Sequence, residues 1–314
     1  MNITESPVAV EDVIGRVPGW AASEVTYELM KGGLSHRIYL VRAGKERYIL
    51  RILNRAVEGA LLGIPAEDEI ENTLRAAQTG VSPGAPAVLR DVPAIVLDYI
   101  DGETLSVGTV QDERNIPRIG AACRQLHDRS RPFVNDFDIF RHQERFLMLC
   151  QREGLRIPFN YESYAPTLAR IERAVRARRL PDAPCHNDLL AENFIDDGKT
   201  IWIVDYQLSG NHDPLFELGD VAAESDYNPD QVARLVESYF GPETTPALVA
   251  RVRLYLTVSN YTWTLWFSVH NGLLSNPDVD FDYWAEATDK WEQAVRDLEG
   301  SELSSLLKLA ARAG

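Results

Sequence analysis

The chain has 314 residues, 45% of them hydrophobic and 25% charged, so it is long enough to bury a sizeable core in one large domain or two small ones. Its formal net charge of −15 argues against a nucleic-acid partner, because nucleic-acid phosphates need a basic surface. No stretch approaches the roughly 18 consecutive apolar residues of a membrane span, so we expect no membrane partner either.

The cysteines indicate the cellular compartment. The chain has three, Cys123, Cys150 and Cys185, which are far apart and odd in number. They form neither a disulfide framework nor a Cys-x-x-Cys metal pattern. Residues 1–20 lack the basic start and apolar run of a signal peptide. We therefore expect reduced cysteines and a cytoplasmic location.

The N-terminal third is predicted to form a sheet. Residues 1–22 carry several prolines and glycines and predict an irregular or loosely helical lead-in. Short apolar, β-rich runs bounded by turn residues predict five strands, at residues 26–29, 37–41, 48–53, 87–89 and 94–97. The chain then leaves the sheet at residues 98–103.

A glycine turn joins the first two strands and contains Gly32, Gly33 and Ser35. Glycines in such a turn let backbone N–H groups approach phosphate oxygens without a Cβ in the way. A plain hairpin is the alternative, because two glycines are common in hairpins. The turn is a candidate for phosphate contact.

Arg51 is a cation in an apolar strand, where charge is costly unless it is paired or binds a ligand. Its planar guanidinium suits phosphate, and the alternative is a solvent-facing arginine. A helix predicted at residues 66–79 carries Glu67, Glu69 and Glu71 as possible partners for this charge. We expect Glu71 to be the partner, with Glu69 as the second choice.

The remainder of the chain is predicted to be mainly helical. Apolar residues at helical spacing predict helices at residues 114–129, 139–152, 161–179, 232–240 and 246–270. His127, near the end of the first of these, is interpreted as structural rather than catalytic. Asp213 followed by Pro214 is typical of a helix start, with the carboxylate as cap and proline at the first position.

Residues 184–214 are the segment around which the chain is organised. Two strand-like runs, Phe194-Ile195 and residues 200–204, flank a turn rich in Asp and Gly, which predicts a β-hairpin. Asp188 and Asn193 precede the first strand, and Asp205 follows the second. A hairpin brings these three side chains to the same end.

The chemistry of these three side chains indicates phosphoryl transfer. Carboxylate and amide oxygens such as those of Asn193 and Asp205 suit Mg²⁺ held against phosphates. Asp188, five residues before Asn193, has the spacing of the base in a kinase catalytic loop. The alternative is a hairpin whose Asp and Asn residues only form turns, but turn chemistry does not explain His186, Asn187 and Asp188, or Asp205.

The motifs of this segment resemble a known family. They are Cys185-His186-Asn187-Asp188-Leu189-Leu190, Asn193, Val204-Asp205-Tyr206 and Ser209-Gly210. Together they are similar to the signature of choline and ethanolamine kinases, within the aminoglycoside-phosphotransferase-like group. The resemblance extends from about residue 25 to about residue 295. It implies an α+β, bilobal protein-kinase-like fold, with a five-stranded antiparallel sheet in an N-terminal lobe (residues 1–100) and a mainly helical C-terminal lobe (residues 101–314).

The resemblance also implies site roles. ATP is the co-substrate and Mg²⁺ the cofactor; Asp188 is the catalytic base, and Asn193 and Asp205 hold the metal. Arg51 stands where protein kinases have a phosphate-binding lysine. The strand that ends near Asp98 and Ile100 leads into the hinge where adenine meets the backbone.

Trp263 and Trp266 are three residues apart, so they share one helix face. Aromatic faces attract ammonium groups by cation–π interaction, and choline kinases have a similar aromatic pair lining their substrate pocket. The resemblance therefore implies a small cationic alcohol as acceptor. A helix packed in the core is the alternative explanation.

Three positions depart from the family pattern. Gln207, followed by Leu208, stands where the family has a Glu-Tyr pair; Glu286 stands where our alignment expects a tyrosine; and His36 replaces an expected asparagine. We therefore predict an ATP-dependent kinase for an amino alcohol of the choline or ethanolamine type. Two alternatives stay open: transfer to another hydroxylated metabolite or an aminoglycoside, with Gln207 and Glu286 contacting a larger amine, and a catalytically silent kinase-like binding protein.

Overall fold

The computed structural model of the chain describes residues 8–20, 24–30, 35–274 and 281–312. These residues form an N-terminal lobe with a five-stranded antiparallel sheet and a C-terminal lobe made mainly of helices, which confirms the expected α+β organisation. The division into residues 1–100 and 101–314 stays a prediction.

The N-terminal lobe is built on strands that pair in the order β1-β2-β3-β5-β4. Its elements are α1 (Val10–Ile14), β1 (Val25–Leu29), β2 (Arg37–Ala43), β3 (Glu46–Ile52), α2 (Arg55–Gly59), α3 (Ala66–Ala76), β4 (Ala87–Leu89) and β5 (Ala94–Asp98). The central strand β3 pairs Leu50 with Val96 and Arg51 with Ile95.

The two faces of this sheet have different partners because side chains alternate along a strand. Leu50 and Ile52 of β3 lie in one apolar cluster with Val13, Val17 and Trp20 of the lead-in. Arg51 points to the opposite face, on which α3 packs through Ile70. The lead-in, expected to be irregular or loosely helical, thus contains a short helix whose apolar side chains cover the sheet.

The C-terminal lobe combines helices with two small sheets. Its elements are β6 (Glu103–Thr104), α4 (Val107–Val110), α5 (Asn115–Arg129), α6 (Ile139–Glu153), α7 (Ala165–Arg176), β7 (Ala183–Cys185), β8 (Phe194–Asp196), β9 (Ile201–Ile203), β10 (Gly210–His212), α8 (Pro214–Glu224), α9 (Pro229–Phe240), α10 (Pro246–Val269), α11 (Tyr283–Leu298) and α12 (Leu303–Ala310). Sheet β6-β8-β9 contains the hairpin, and β7 pairs with β10.

Helix α10 is the centre of this lobe. It is 24 residues long and nearly all of its side chains are buried, as expected for a helix that is apolar on every side. Helices α6, α8, α11 and α12 pack around it. It therefore holds the helices that carry the site residues in fixed positions.

Some predicted helices end differently in the structure. The helix predicted at residues 66–79 is α-helical only to Ala76 and then tightens into a 3-10 turn before Gly80, whose φ is +80°. The helix predicted at residues 161–179 begins with a 3-10 turn, and α7 itself ends at Arg176. The start of α8 is as expected, because the Asp213 carboxylate accepts a hydrogen bond from the Leu215 N–H at 3.0 Å.

Cys123, Cys150 and Cys185 are buried and free of disulfides. None of the helices in the described part of the chain has the length and apolarity needed to span a membrane. The cytoplasmic location stays a prediction.

Candidate active site

The β8–β9 hairpin brings Asn193 and Asp205 together. Its register pairs Phe194 with Ile203, and the Val204 N–H donates a 3.0 Å hydrogen bond to the Asn193 carbonyl. Asp205 follows directly, with a φ of +72° that turns the chain at this point. The predicted hairpin and the convergence at its end are therefore present.

Glu217 of α8 fixes the loop before Asn193 through hydrogen bonds to the loop's backbone N–H groups. The fully buried Glu217 carboxylate accepts hydrogen bonds from the His186 N–H at 3.0 Å and the Asn187 N–H at 2.7 Å. Burial opposes ionisation of Glu217, but His127, 3.1 Å away, outweighs it and the pKa is lowered. This fixed anion sets the path of the loop that presents Asp188.

The structure places His127 in this support rather than at the hairpin end. His127 and Cys185 have ligand atoms within 4.8 Å of Glu217, a grouping that resembles a metal site. His127 Nδ1, however, lies 2.7 Å from the Tyr239 hydroxyl, and burial raises the pKa of the Cys185 thiol well above its usual range. The grouping is therefore a hydrogen-bonded support, in line with the structural role expected of His127.

Asp188 follows these two residues in the loop, and the next residue, Leu189, is hydrogen-bonded to α8. The Leu189 N–H donates to Asp220 Oδ2 at 2.9 Å, while Asp220 Oδ1 accepts from Ser259 and from the Trp263 indole, each at 2.7 Å. Burial, followed by the charge of Asp220, raises the pKa of Asp188 well above its usual range. A carboxylate with a raised pKa is a better proton acceptor once it is ionised.

Arg51 connects the two lobes. Its Nη2 lies 2.5 Å from Asp205 Oδ1 and 3.1 Å from Glu69 Oε1, and His36 Nε2 lies 3.2 Å from Glu69 Oε2. We call Arg51, Glu69, His36 and Asp205 the Arg51 cluster. Burial opposes ionisation of Asp205, but the charge of Arg51 overcomes it and lowers the Asp205 pKa.

The expected partner of Arg51 was wrong. Glu71, the first choice, instead bonds Arg75 Nε at 3.1 Å, lies 3.7 Å from Arg90 and is 31% exposed. Glu69, the second choice, is buried and pairs with Arg51. The face of α3 that packs inward carries Glu69 with Ile70 and Thr73, and Glu71 lies off that face.

The donor set at the hairpin end fits Mg²⁺. Asn193 Nδ2 donates to the Asp188 carbonyl at 2.8 Å, and its Oδ1 makes no hydrogen bond within the described residues. Asp205 uses Oδ1 for Arg51, while its Oδ2 makes no hydrogen bond there and the side chain is 30% exposed. An amide oxygen and a carboxylate oxygen are thus available as hard ligands.

The remaining residues predicted to contact ATP are Gly32, Gly33, Ser35, Asp98 and Ile100. Gly32 and Gly33 lie outside the described residues. The Ser35 hydroxyl accepts a 3.0 Å hydrogen bond from Gln207 Nε2, two residues after Asp205 at the end of the hairpin. Asp98 ends β5 and is exposed, and Ile100 beyond it is half-buried. Their contacts with ATP stay predictions.

Gln207 and Trp266 both donate hydrogen bonds to the backbone carbonyl of Leu62. Leu62 lies in the segment between α2 and α3. Gln207 Nε2 donates to this carbonyl at 2.7 Å and Trp266 Nε1 at 3.4 Å. Gln207 therefore ties the two lobes together in this structure. A direct contact of Gln207 with substrate stays a prediction.

The aromatic pair is more buried than an open cation cage would be. Trp263 is 3% exposed and donates its N–H to Asp220; Trp266 is 7% exposed and its ring lies 4.7 Å from His270 and 5.0 Å from Phe267. The pair thus lies beside the Asp188 loop but presents little open aromatic face. Its role in substrate binding stays a prediction.

Sequence reasoning named Glu286 as a candidate substrate contact but missed the charged residues around it beside Asp188. Lys290 of α11 lies with its Nζ 2.8 Å from Glu224 Oε2 of α8, and both side chains are 4% exposed. With Asp220 and the half-buried Glu286 they form what we call the Lys290 cluster. Acids spaced three and four residues apart on α8, a helix otherwise apolar, were the signal for it.

Two cavities lie away from this centre. One of about 250 Å³ lies between α6, α7 and α10 and is lined by Phe140, Leu147 and Tyr261 among others. The other, of about 360 Å³, lies where α5 meets the end of α9. Neither is lined by a predicted site residue.

Comparison with known proteins identifies the family. The phosphotransferase enzyme family matches residues 26–254. The crystal structure of a choline/ethanolamine kinase family protein from Mesorhizobium loti is 30% identical in sequence, with a TM-score of 0.83 and coverage of 96% of this chain and 98% of that chain. This chain belongs to the phosphotransferase enzyme family and, within it, to the choline/ethanolamine kinase family.

Two more distant relatives cover most of this kinase. Protein LicA of Haemophilus influenzae is 23% identical over 247 residues, which is 76% of this chain and 71% of the relative. The crystal structure of choline kinase LicA from Streptococcus pneumoniae is 19% identical, with a TM-score of 0.75 over 92% of this chain and 97% of that one. The expected family and the protein-kinase-like fold are thereby confirmed, and the kinase is a phosphotransferase, as predicted.

Proposed function

We propose that this kinase transfers the γ-phosphoryl group of ATP to the hydroxyl of a small amino alcohol. The observation that carries the proposal is the convergence of Asp188, Asn193 and Asp205 at one end of the hairpin, with Arg51 reaching the same point from the other lobe. Relatives whose names include choline kinase and choline/ethanolamine kinase support an amino alcohol as acceptor.

Asp188 orients the acceptor hydroxyl and takes its proton. Its carboxylate is placed by a loop whose backbone N–H groups are bonded on both sides, to Glu217 before it and to Asp220 after it. Such a loop needs little rearrangement when substrate binds, and phosphoryl transfer depends largely on this kind of positioning.

Asn193 Oδ1 and Asp205 would hold Mg²⁺, which supplies positive charge to the phosphate oxygens when bound. Arg51 adds a cation of the protein's own. Because Glu69 and Asp205 hold the guanidinium from two sides, Arg51 stays oriented toward the phosphates. Charge neutralisation by groups already in place is the main catalytic contribution expected here.

The test is ADP release with Mg·ATP and a panel of ethanolamine, choline, other amino alcohols, aminoglycosides and amino sugars. Turnover with an amino alcohol supports the proposal. Turnover only with an aminoglycoside or amino sugar would replace the acceptor class. Mg·ATP binding without turnover on any acceptor would contradict the proposal and favour the silent binding protein.

Asp188→Ala tests the assignment of the base. We expect turnover to fall about 10²–10⁴-fold, the usual contribution of general base catalysis, while ATP binding changes little. Asp230→Ala, at an exposed position at the start of α9, is the matched control and keeps full activity. Retained activity in Asp188→Ala would refute the role.

A further inference from the structure

The Lys290 cluster has its own geometry, set by two helices. Asp220 and Glu224 are four residues apart on α8, so they share one face. Asp220 bonds the Leu189 N–H at 2.9 Å, which places this face against the loop that carries Asp188. Glu286 and Lys290 are four residues apart on α11, and the 2.8 Å contact between Lys290 and Glu224 holds the two faces together.

Lys290 is a fixed internal cation. Burial opposes its charge, but Glu224, Glu286 and Asp220 outweigh burial and the pKa of Lys290 is raised. A buried ammonium this close to a buried carboxylate neutralises it. Glu224 is therefore already satisfied before any acceptor binds.

The remaining carboxylates of the cluster are not equivalent. Asp220 accepts three hydrogen bonds, from Leu189, Ser259 and Trp263. Glu286 is half-buried, and its carboxylate makes no hydrogen bond or ion pair within the described part of the chain. Burial raises the pKa of Glu286, and the charge of Lys290, which acts in the opposite direction, offsets this only in part.

We propose that Lys290 is a specificity-determining residue that occupies Glu224 and leaves Glu286 for the ammonium group of the acceptor, so that the site prefers a primary ammonium alcohol to a quaternary one. This inference rests on the proposed function. A primary ammonium donates up to three hydrogen bonds, which a carboxylate such as Glu286 accepts. A trimethylammonium group donates none and depends on open aromatic faces.

Those aromatic faces are scarce beside Asp188. Trp263 and Trp266 are 3% and 7% exposed, and the Trp266 ring is already in contact with His270 and Phe267. Lys290 and Glu224 are each only 4% exposed, so they leave little open space between α8 and α11 for a bulky head group. Hydrogen bonding and size therefore favour the same acceptor.

The experiment measures kcat/KM of the wild-type kinase for ethanolamine and for choline. We expect a preference for ethanolamine of about tenfold or more, the discrimination that one well-placed polar contact and a tight pocket give. In Lys290→Met, Glu224 loses its cation, and its unpaired negative charge attracts a cationic head group without needing a hydrogen bond; ethanolamine is already bound by Glu286 and gains less than choline, so the preference shifts toward choline by about tenfold. Lys308→Met, exposed on α12, is the matched control and keeps the wild-type ratio.

Two further variants keep the test decisive if Lys290→Met folds poorly. In the double variant Lys290→Met with Glu224→Gln, both charges are gone, so the wild-type preference returns; a purely structural lysine would not produce this reversal. Glu286→Gln raises KM for ethanolamine about tenfold with little change in kcat or in KM for choline, since it weakens a binding contact only.

The outcomes separate this inference from the proposed function. A wild-type kinase that uses choline at least as well as ethanolamine overturns the inference and leaves the proposed function standing. So does a Lys290→Met variant in which both substrates change equally. No turnover with any amino alcohol overturns the proposed function and this inference with it.

Discussion

The Arg51 cluster and the Lys290 cluster lie on the two sides of the loop that carries Asp188, and their ion pairs differ in how far they are exposed. Arg51 joins a strand of one lobe to residue Asp205 of the other, and Asp205 remains 30% exposed. Lys290 and Glu224 are both inside the helical lobe and both 4% exposed. The first ion pair is partly open to solvent, as the proposed binding of phosphates and metal requires, and the second is closed.

The contrast extends to the carboxylates. In the Arg51 cluster the pKa of Asp205 is lowered, so this group is an anion at neutral pH. In the Lys290 cluster the pKa of Asp220 is raised to about 7, first by burial and then by the charge of Glu224. On the Arg51 side the Asp205 carboxylate is therefore ionised at neutral pH. On the Lys290 side a large fraction of Asp220 stays protonated near neutral pH.

The largest expected effect is on the Arg51 side. Asp205→Asn removes the anion that faces Arg51 and weakens the proposed metal site, so we expect turnover to fall about 10²–10³-fold at saturating Mg·ATP. ADP release measures this loss. Asp230→Asn, exposed on α9, should keep wild-type activity. If Asp205→Asn retained activity within about tenfold of wild type, the Arg51 side would not carry the chemistry.

The second effect is a pH dependence of stability on the Lys290 side. The carboxyl of Asp220 has a folded-state pKa of about 7, above its ordinary value of 3.8, so its ionisation destabilises the fold. The protonated Asp220 carboxyl stabilises the fold at low pH, and this contribution to the free energy of unfolding is lost as pH rises from about 4 to about 7. Between pH 5 and pH 8 this amounts to about 3 kcal/mol, two pKa units at about 1.4 kcal/mol each.

Urea unfolding at pH 5 and pH 8 checks this value. Asp220→Asn should remove that part of the pH dependence, and Asp230→Asn should leave it in place. Asp205 has the opposite sign: its lowered pKa stabilises the fold above its ordinary pKa, and this stability is lost as pH falls through the folded-state value. A wild-type protein with equal stability at both pH values would remove the contrast between the clusters.

The smallest effect distinguishes the two glutamates of α3. Glu69→Gln loosens the orientation of Arg51, so we expect turnover to fall about 10–100-fold, as for a catalytic group displaced by a fraction of an ångström. Glu71→Gln removes only a partly exposed pair and should change turnover less than about twofold. ADP release on the matched pair measures both. Equal losses in the two variants would mean that Glu69 has no special link to Arg51.

Local chemistry made the Arg51 side largely predictable. The turn at residues 196–199, the strands beside it and the spacing of Asp188, Asn193 and Asp205 all lie within one short segment, so the hairpin and its convergent end follow from the sequence. The choice between Glu69 and Glu71 did not follow. Each is about 100° from the apolar Ile70 around the helix, and only packing decides which of them faces the sheet.

On the Lys290 side the sequence indicated only Glu286, through the family alignment, and the other three residues were not predictable for a different reason. Lys290 and Glu286 lie on the polar-rich helix α11, where charged residues are usually solvated. Their burial results from contact with α8, about 65 residues earlier in the chain. Asp220 and Glu224 stood out only as acids in an apolar helix. Tertiary packing, rather than any local pattern, makes them part of the site.

The short lead-in helix has a practical consequence for handling this protein. Val13, Val17 and Trp20 cover the face of the sheet that contains Leu50 and Ile52, and burial of each such side chain contributes about 1.5–3 kcal/mol. A shortened version that starts at β1 would expose this apolar face to water. Cloning limits and affinity tags should therefore leave residues 8–20 intact, or the purified kinase will tend to aggregate.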